Sequence, residues 1–148
     1  MDRIDARTRS RNMARIRGRN TVPEKAVRSL LHREGFRFRL HDAKLPGRPD
    51  IVMKGRGIVV FVHGCFWHRH PKCSNATLPH ANREFWVKKL QANVWRDRRN
   101  IRELLNGGWR VLVIWECSVR NARDNSGPLT RRILSWIRSK DASGELSD

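Results

Sequence analysis

The sequence has no long hydrophobic run and few acidic residues, and these absences narrow the class of protein. No stretch reaches the about 18 consecutive apolar residues that a membrane-spanning helix needs. The N-terminus, residues 1–5, is polar and lacks the apolar segment of a secretory signal. Three cysteines are an odd number, which argues against the paired disulfides of a small secreted domain. We therefore expect a cytosolic protein that does not contact a membrane.

The shortage of acidic residues gives the chain a strong positive charge. Its 148 residues include 32 Lys and Arg against 14 Asp and Glu, a formal net charge of +18 that is spread over the whole chain. Such a surface repels itself unless a polyanion or counterions neutralise it, and binding to phosphates releases condensed counterions. Nucleic acid is therefore the first partner to consider.

The order of predicted elements indicates an α/β fold with a single mixed sheet flanked by helices. Turn residues, capping signals and hydrophobic periodicity define each element. The expected elements are a helix over 21–35, strands over 36–40, 51–53 and 58–62, a helix over 83–105, a strand over 110–117, and a final helix marked by Leu129, Ile133, Trp136 and Ile137.

We divide the chain into three parts. Residues 1–20 are a basic arm, in which Met13 and Ile16 lie three positions apart on one side of a possible helix. Residues 21–138 have the length of a single domain. Residues 139–148 are predicted to be a flexible polar tail.

All three cysteines belong to one candidate metal-ligand set. Cys65 and Cys73 lie within nine residues of each other, and Cys117 ends a predicted buried strand. Three thiolates and one imidazole suit a tetrahedral structural Zn²⁺, and the irregular segment around Cys65 has little else to order it. The alternative is that these are small buried thiols. Spacing alone does not decide whether His68 or His70 is the fourth ligand.

Two aspartates lie at positions where burial of a charged carboxylate would cost free energy. Asp50 precedes a buried strand directly, so it is either a turn residue that accepts backbone N–H bonds or a ligand compensated by a metal. Asp97 lies on the inward stripe of the long helix, between Leu90 and Ile101. It should therefore be paired, either in a structural salt bridge or with a histidine that it orients.

Several motifs resemble those of the very-short-patch repair endonuclease family. They are Leu45–Asp50 (LPGRPD), His63–His68 (HGCFWH), Glu84–Trp86, Arg96–Arg99, Gly108–Cys117 and the basic Thr8–Met13. The similarity covers residues 7–138, in order and at family spacing. It implies a fold like that of type II restriction endonucleases and a nick in DNA on the 5′ side of the thymine in T:G mismatches, which arise when 5-methylcytosine deaminates.

The resemblance also implies a role for each matched residue. Asp50 matches the Mg²⁺-binding aspartate, His68 the general base that activates water, and Asp97 the carboxylate that orients this histidine. Glu24 and His63 match supporting active-site positions. The structural zinc ligands are matched by Cys65, His70, Cys73 and Cys117.

Two departures from the family pattern concern the metal sites. Val62 stands where a family member has a threonine whose backbone carbonyl binds the catalytic metal, and valine keeps that carbonyl. One extra residue lies between His70 and Cys73, which bears on the local zinc geometry.

Mismatch recognition is expected from flat side chains that wedge between base pairs, because a T:G pair stacks less firmly than a normal pair. Phe66, Trp67 and Trp86 are the candidates, and ordinary core packing is the alternative for them. Met13 and Ile16 are candidates for a second wedge, or for packing along a helix face.

The expected partner is double-stranded DNA with a T:G mismatch, with mismatch-repair proteins as further candidates. We expect a monomer in the bacterial cytoplasm, associated with the nucleoid when it is bound to DNA. The competing hypotheses are a catalytically inactive zinc-stabilised DNA-binding module and a basic RNA-binding protein of ribosomal type. The latter explains the charge but not the combination of Asp50, His68 and Asp97.

Overall fold

A computed structural model describes residues 20–123 and 125–148. Met13 and Ile16, which were predicted to form a second wedge, and nearly all of the basic arm lie outside these residues. The elements are α1 (Val22–Arg33), β1 (Arg39–Leu40), β2 (Ile51–Met53), β3 (Ile58–His63), α2 (Arg83–Asn106), β4 (Arg110–Trp115), α3 (Glu116–Asn121), α4 (Gly127–Arg138) and β5 (Ser143–Leu146). Short 3₁₀ turns lie at Lys54–Arg56 and Ser74–Ala76.

The five strands form one mixed sheet in the order β1-β2-β3-β4-β5. β1, β2 and β3 are antiparallel neighbours, whereas β3 pairs with β4, and β4 with β5, in parallel. The two central strands are almost completely buried, as expected for strands covered on both faces. The α/β class and the mixed sheet predicted from the sequence are confirmed.

Side chains alternate between two cores, one on each face of the sheet. On one face, strand residues such as Val60 and Leu112 pack with residues of α1, α3 and α4. On the other, residues such as Phe61 and Val113 pack with Cys65 and with Leu104 of α2. The second face also carries Cys65, Cys117 and the helix with Asp97, which the sequence marks for chemistry.

The start of α1 follows from its capping residues. The Oγ1 atom of Thr21 accepts a hydrogen bond from the N–H of Glu24 at 3.3 Å, and Pro23 lies in the first turn, where its missing N–H has no cost. The Glu24 carboxylate accepts a bond from the N–H of Asn20 at 2.7 Å. These bonds hold Glu24 at the buried end of the helix.

Two predictions near the C-terminus are corrected. Residues 139–148 are not a flexible tail throughout, because Ser143–Leu146 forms β5 and the Leu146 side chain is buried. This strand is stabilised by its pairing with β4, a distant contact that leaves no local pattern in the sequence. The strand predicted over 110–117 ends at Trp115, and Cys117 lies in the short helix α3.

The first predicted strand is also shorter than expected. Only Arg39–Leu40 of residues 36–40 pairs with β2. In the part of the chain that the structure describes, no helix is long and apolar enough to cross a membrane.

Candidate active site and metal-ligand cluster

Asp50 lies where the LPGRPD loop enters β2, and its carboxylate bonds to the neighbouring strand. Its Oδ2 accepts a hydrogen bond from the N–H of Val62 in β3 at 2.7 Å. The loop packs against α2, because a Cβ added at Gly47 would lie 2.9 Å from the Cβ of Asn100. The backbone of Gly47 is also left-handed, with φ of +74°. Glycine at this position therefore lets the loop bring Asp50 close to the helix that carries Asp97.

The surroundings of Asp50 disfavour its charged form. Burial raises the pKa of its carboxyl from 3.8 to about 7, and the charge of Glu24 adds to this rise. The Val62 N–H, His68 and Arg28 act in the opposite direction. A buried carboxyl with a raised pKa and an incomplete set of partners is typical of a functional site.

His68 and Asp97 form a hydrogen-bonded pair. The Nδ1 of His68 lies 2.6 Å from Oδ2 of Asp97, and both side chains are partly exposed. Because a carboxylate can only accept, the hydrogen lies on Nδ1, and Nε2 of the neutral ring is left as a proton acceptor. A histidine with this tautomer has the form that a general base requires.

His63 supports His68 by stacking. The two imidazole rings are almost parallel, with centroids 3.8 Å apart, and the edge of Trp115 lies against His63 at 5.2 Å. Burial lowers the pKa of His63 well below its usual value of 6.5, and the neighbouring His68 adds to this effect. His63 therefore stays neutral near pH 7 and is a weaker base than an ordinary histidine.

Glu24 lies close to Asp50 in a hydrogen-bonded network with Arg28 and His41, two residues that were not predicted from the sequence. The side chains of Arg28 and His41 both donate to Oε1 of Glu24, which is only 1% exposed. Ligand atoms of Glu24, His41 and Asp50 all lie within 4.8 Å of one another. His41 directly follows the strand predicted over 36–40 and lies four residues before the LPGRPD motif, and that position is the signal that could have found it.

One cavity of about 520 Å³ joins these residues. Asn100, one turn after Asp97 on α2, also lines the cavity and was not predicted. The lining residues are His41, Gly47, Arg48, Asp50, Phe61, Val62, His63, His68, Asp97, Asn100 and Ile101. Glu24 lies outside this lining and contacts the cavity through His41.

The three cysteines and His70 form a second, separate cluster. One ligand atom from each of Cys65, His70, Cys73 and Cys117 lies within 4.8 Å of all the others. The His70 ring stacks on Trp115 with centroids 4.1 Å apart. The choice that spacing left open is thus resolved by geometry: His70 is with the cysteines and His68 is not.

The donor types of this cluster fit a soft metal ion. Burial raises the pKa of the Cys65 thiol to about 12, so the thiolate forms only where a cation compensates its charge. Three sulfur atoms and one imidazole nitrogen at these separations can surround one ion. The cluster links the first half of the loop after β3 to α3, and the same loop carries His68.

The three aromatic residues predicted to recognise the mismatch contact one another. The ring centroids of Phe66 and Trp67 are 5.1 Å apart, and each lies within 6 Å of the Trp86 ring. Trp86 is only 4% exposed, so it supports the other two rings and offers little face of its own. Phe85, which was not predicted, is 57% exposed beside Trp86.

The cost of the buried Asp50 carboxyl predicts that its removal stabilises the metal-free fold. The folded-state pKa of about 7 exceeds the ordinary value of 3.8, so the unfolded chain releases this proton at lower pH than the folded protein does. The free energy of unfolding therefore falls as pH rises from about 4 to 7. With Mg²⁺ omitted, we expect Asp50→Asn to melt at a higher temperature than the original protein. This increase in melting temperature should be about 5 °C larger at pH 8 than at pH 5. Thermal melts at both pH values measure this, with the exposed Asp141→Asn as control. An equal shift at both pH values would show that Asp50 titrates normally.

Comparison with known proteins gives consistent matches over most of the chain. A family model described as DNA mismatch endonuclease Vsr matches residues 1–75. The DNA mismatch endonuclease Vsr of Escherichia coli (strain K12) is 46% identical over 143 residues, which are 96% of this chain and 91% of the relative. The type II nicking enzyme V.XorIIP of Xanthomonas oryzae pv. oryzae is 50% identical over 118 residues, 80% of this chain and 86% of the relative. V.NmeAIP, a type II nicking enzyme of Neisseria meningitidis serogroup A, is 41% identical over 132 residues, which are 87% of this chain and 94% of the relative.

Proposed function

The chain belongs to the Vsr family of DNA mismatch endonucleases, and from this membership we propose that it nicks double-stranded DNA on the 5′ side of the thymine in T:G mispairs. Such mispairs arise by deamination of 5-methylcytosine, so the nick would initiate very-short-patch repair. The observation that supports the proposal most strongly is the single cavity that joins Asp50 to the His68–Asp97 pair. That cavity brings the Asp50 carboxylate, whose oxygens can bind a metal, near His68. The hydrogen bond from Nδ1 of His68 to Asp97 leaves Nε2 free to accept a proton.

We propose that Asp50 and the backbone carbonyl of Val62 hold the catalytic Mg²⁺. A carboxylate and a carbonyl are the hard oxygen ligands that Mg²⁺ prefers, and the bond between Val62 N–H and Asp50 keeps the two residues adjacent. When bound, Mg²⁺ would neutralise charge that develops on the phosphate. Ionisation of Asp50 is costly without a cation, and this cost supports its assignment as a ligand.

His68 would take the proton from the attacking water at Nε2. Asp97, which accepts the Nδ1 hydrogen, would hold the ring in this tautomer and stabilise the imidazolium that forms. His63, stacked on the same ring, would limit its rotation and would remain neutral during the transfer. Glu24, which the resemblance assigns to the site, would act through its contacts with His41 and Arg28.

We propose that Cys65, His70, Cys73 and Cys117 hold a structural Zn²⁺. Four protein ligands leave no open coordination position for a substrate, so the role of this metal would be to order the loop. The bound loop would then keep His68 beside Asp97 and His63.

Mismatch recognition would be performed by Phe66 and Trp67, supported from behind by Trp86. Met13 and Ile16 of the N-terminal arm, which lie outside the described residues, remain candidates for a second wedge. We further propose a restriction-endonuclease-like nuclease domain that begins at residue 21 and extends past 138 to include β5, preceded by the basic arm over 1–20. The protein would act as a monomer in the bacterial cytoplasm, on the nucleoid, with mismatch-repair proteins as further candidate partners.

Nicking rates on matched duplexes test the proposed specificity. We expect a Mg²⁺-dependent nick in a T:G duplex, and little cleavage of T:A or C:G duplexes of the same flanking sequence. Equal rates on all three duplexes would show that the mismatch is not recognised. Binding to the T:G duplex without any nick would favour the inactive DNA-binding module.

The contact between His41 and Glu24 predicts a positioning role for His41. We expect His41→Ala to lower the nicking rate about tenfold, as is typical for residues that orient a metal site, and His41→Gln to retain most of it because glutamine also donates a hydrogen bond. Single-turnover rates over a range of Mg²⁺ concentrations measure this, with the exposed His32→Ala as control. Equal losses in the Ala and Gln variants would contradict the donor role.

A further inference from the structure

The outer face of α2 carries an exposed tryptophan within a row of basic residues. Trp95 is 65% exposed, whereas the other five tryptophans of the chain are buried or half-buried. Lys88, Arg99 and Arg102 are also exposed, and they lie seven residues before, four after and seven after Trp95. These steps return to one side of an α-helix. We call Lys88, Trp95, Arg99 and Arg102 the outer stripe.

The outer stripe lies opposite the active-site side of α2. Asp97 and the buried Leu90 face inward, and two residues along a helix correspond to a rotation of about 200°, which places Trp95 on the far side from Asp97. The stripe runs for about 21 Å, given a rise of about 1.5 Å per residue. Among residues 20–123 and 125–148, Trp95 belongs to neither hydrophobic core.

The composition of the outer stripe indicates the chemistry of its partner. It combines three positive charges with one flat indole face, and two exposed acidic residues flank it: Glu84, four residues before Lys88, and Glu103, four residues after Arg99. Positive charges that neutralise phosphates, beside an aromatic ring on which a base stacks, are the features of single-strand binding sites. Duplex DNA away from a mispair offers the phosphates but keeps the faces of its bases covered by stacking, whereas a single strand offers both phosphates and base faces.

We propose that the outer stripe of α2 binds single-stranded DNA. The link to function rests on the proposed nicking, because a nick frees a strand end that can separate from its complement. A helix is about 10–12 Å across with its side chains, so a strand that leaves the cavity beside Asp97 can reach the far side of α2. The stripe would then hold the released strand close to the enzyme.

Anisotropy measurements with a fluorescein-labelled 12-residue thymidine oligonucleotide test this proposal. We expect Trp95→Ala, and separately the Arg99→Ala/Arg102→Ala double variant, to weaken oligonucleotide binding about tenfold. Trp95→Phe should keep most of the affinity, because phenylalanine retains a stacking face. The matched control is Arg131→Ala/Arg138→Ala, which removes two exposed arginines from α4 on the other face of the sheet.

Three outcomes would overturn the proposal. Trp95→Ala could bind the oligonucleotide as the original protein does, or the α4 control could lose as much affinity as the α2 variants, which would show a general charge effect. The third outcome is an equal loss of T:G duplex binding in Trp95→Ala, which would assign the stripe to the duplex interface. We expect nicking of the T:G duplex by Trp95→Ala to stay within about twofold of the original. A failure of the original protein to nick would refute the proposed function but leave the oligonucleotide result valid.

Discussion

Replacement of Asp50 by Asn or of His68 by Ala should abolish most nicking while binding to a T:G duplex persists. Loss of a general base lowers rates by about 10²–10⁴-fold, and we expect at least this loss for His68→Ala. Asp50→Asn removes the charged oxygen ligand that we assign to Mg²⁺, so a loss of similar size is expected. Asp97→Asn should be milder, because it weakens the orientation of His68 without deleting the base.

Single-turnover nicking and gel-shift measurements on the same duplex separate catalysis from binding. His80→Ala is the matched control, because His80 is an exposed histidine of the same irregular segment. Normal nicking by His68→Ala would contradict its role as base, and attention would turn to His63. Normal nicking by Asp50→Asn would refute the hydrolytic mechanism and favour the DNA-binding module. A parallel loss of duplex binding would show that these residues act on affinity and not on the chemical step.

Removal of the Zn²⁺ that we propose for the Cys/His cluster should lower stability more than any change at the surface. Cys117→Ser removes one thiol of the proposed ligand set, so the loop that carries Cys65 and Cys73 would lose its metal link to α3. A loss of about 3 kcal/mol would lower the melting temperature by about 6–12 °C for a chain of this size. The exposed Asn75→Ala in the same loop is the control.

Calorimetry together with a zinc determination by atomic absorption tests the role of the cluster. We expect one zinc per chain in the original protein, a substoichiometric amount in Cys117→Ser, and a lower melting temperature after chelation. Because the loop also carries His68, nicking should fall together with the zinc content. A metal-free preparation that melts at the original temperature would rule out a structural metal.

Local sequence patterns predicted the elements that carry the site. The hydrophobic stripe on α2 placed Asp97 on the inner side, and the Pro- and Gly-rich loop placed Asp50 at the start of β2. The two parallel strands β3 and β4 are continuous apolar runs, so their burial on both faces was also predictable. These signals are local, and spacing and composition encode them directly.

Features that depend on distant contacts were not predictable. β5 is held by its pairing with β4, and only Leu146 of this strand is strongly apolar. His41 acquires its importance from Glu24, which lies 17 positions earlier in the chain. The assignment of His70 to the cysteine cluster needed the position of Cys117, which lies 47 residues away. Spacing could not distinguish this histidine from His68.

Mapping of the cleaved bond tests the central claim most directly. A T:G duplex, labelled on one strand and then on the other, is incubated with the protein and Mg²⁺, and the products are resolved to single nucleotides. We predict one product, from the thymine strand, cut at the phosphate on the 5′ side of the mispaired thymine, and no product from Asp50→Asn. Cleavage of the guanine strand, or cuts at positions unrelated to the mispair, would contradict the proposed function.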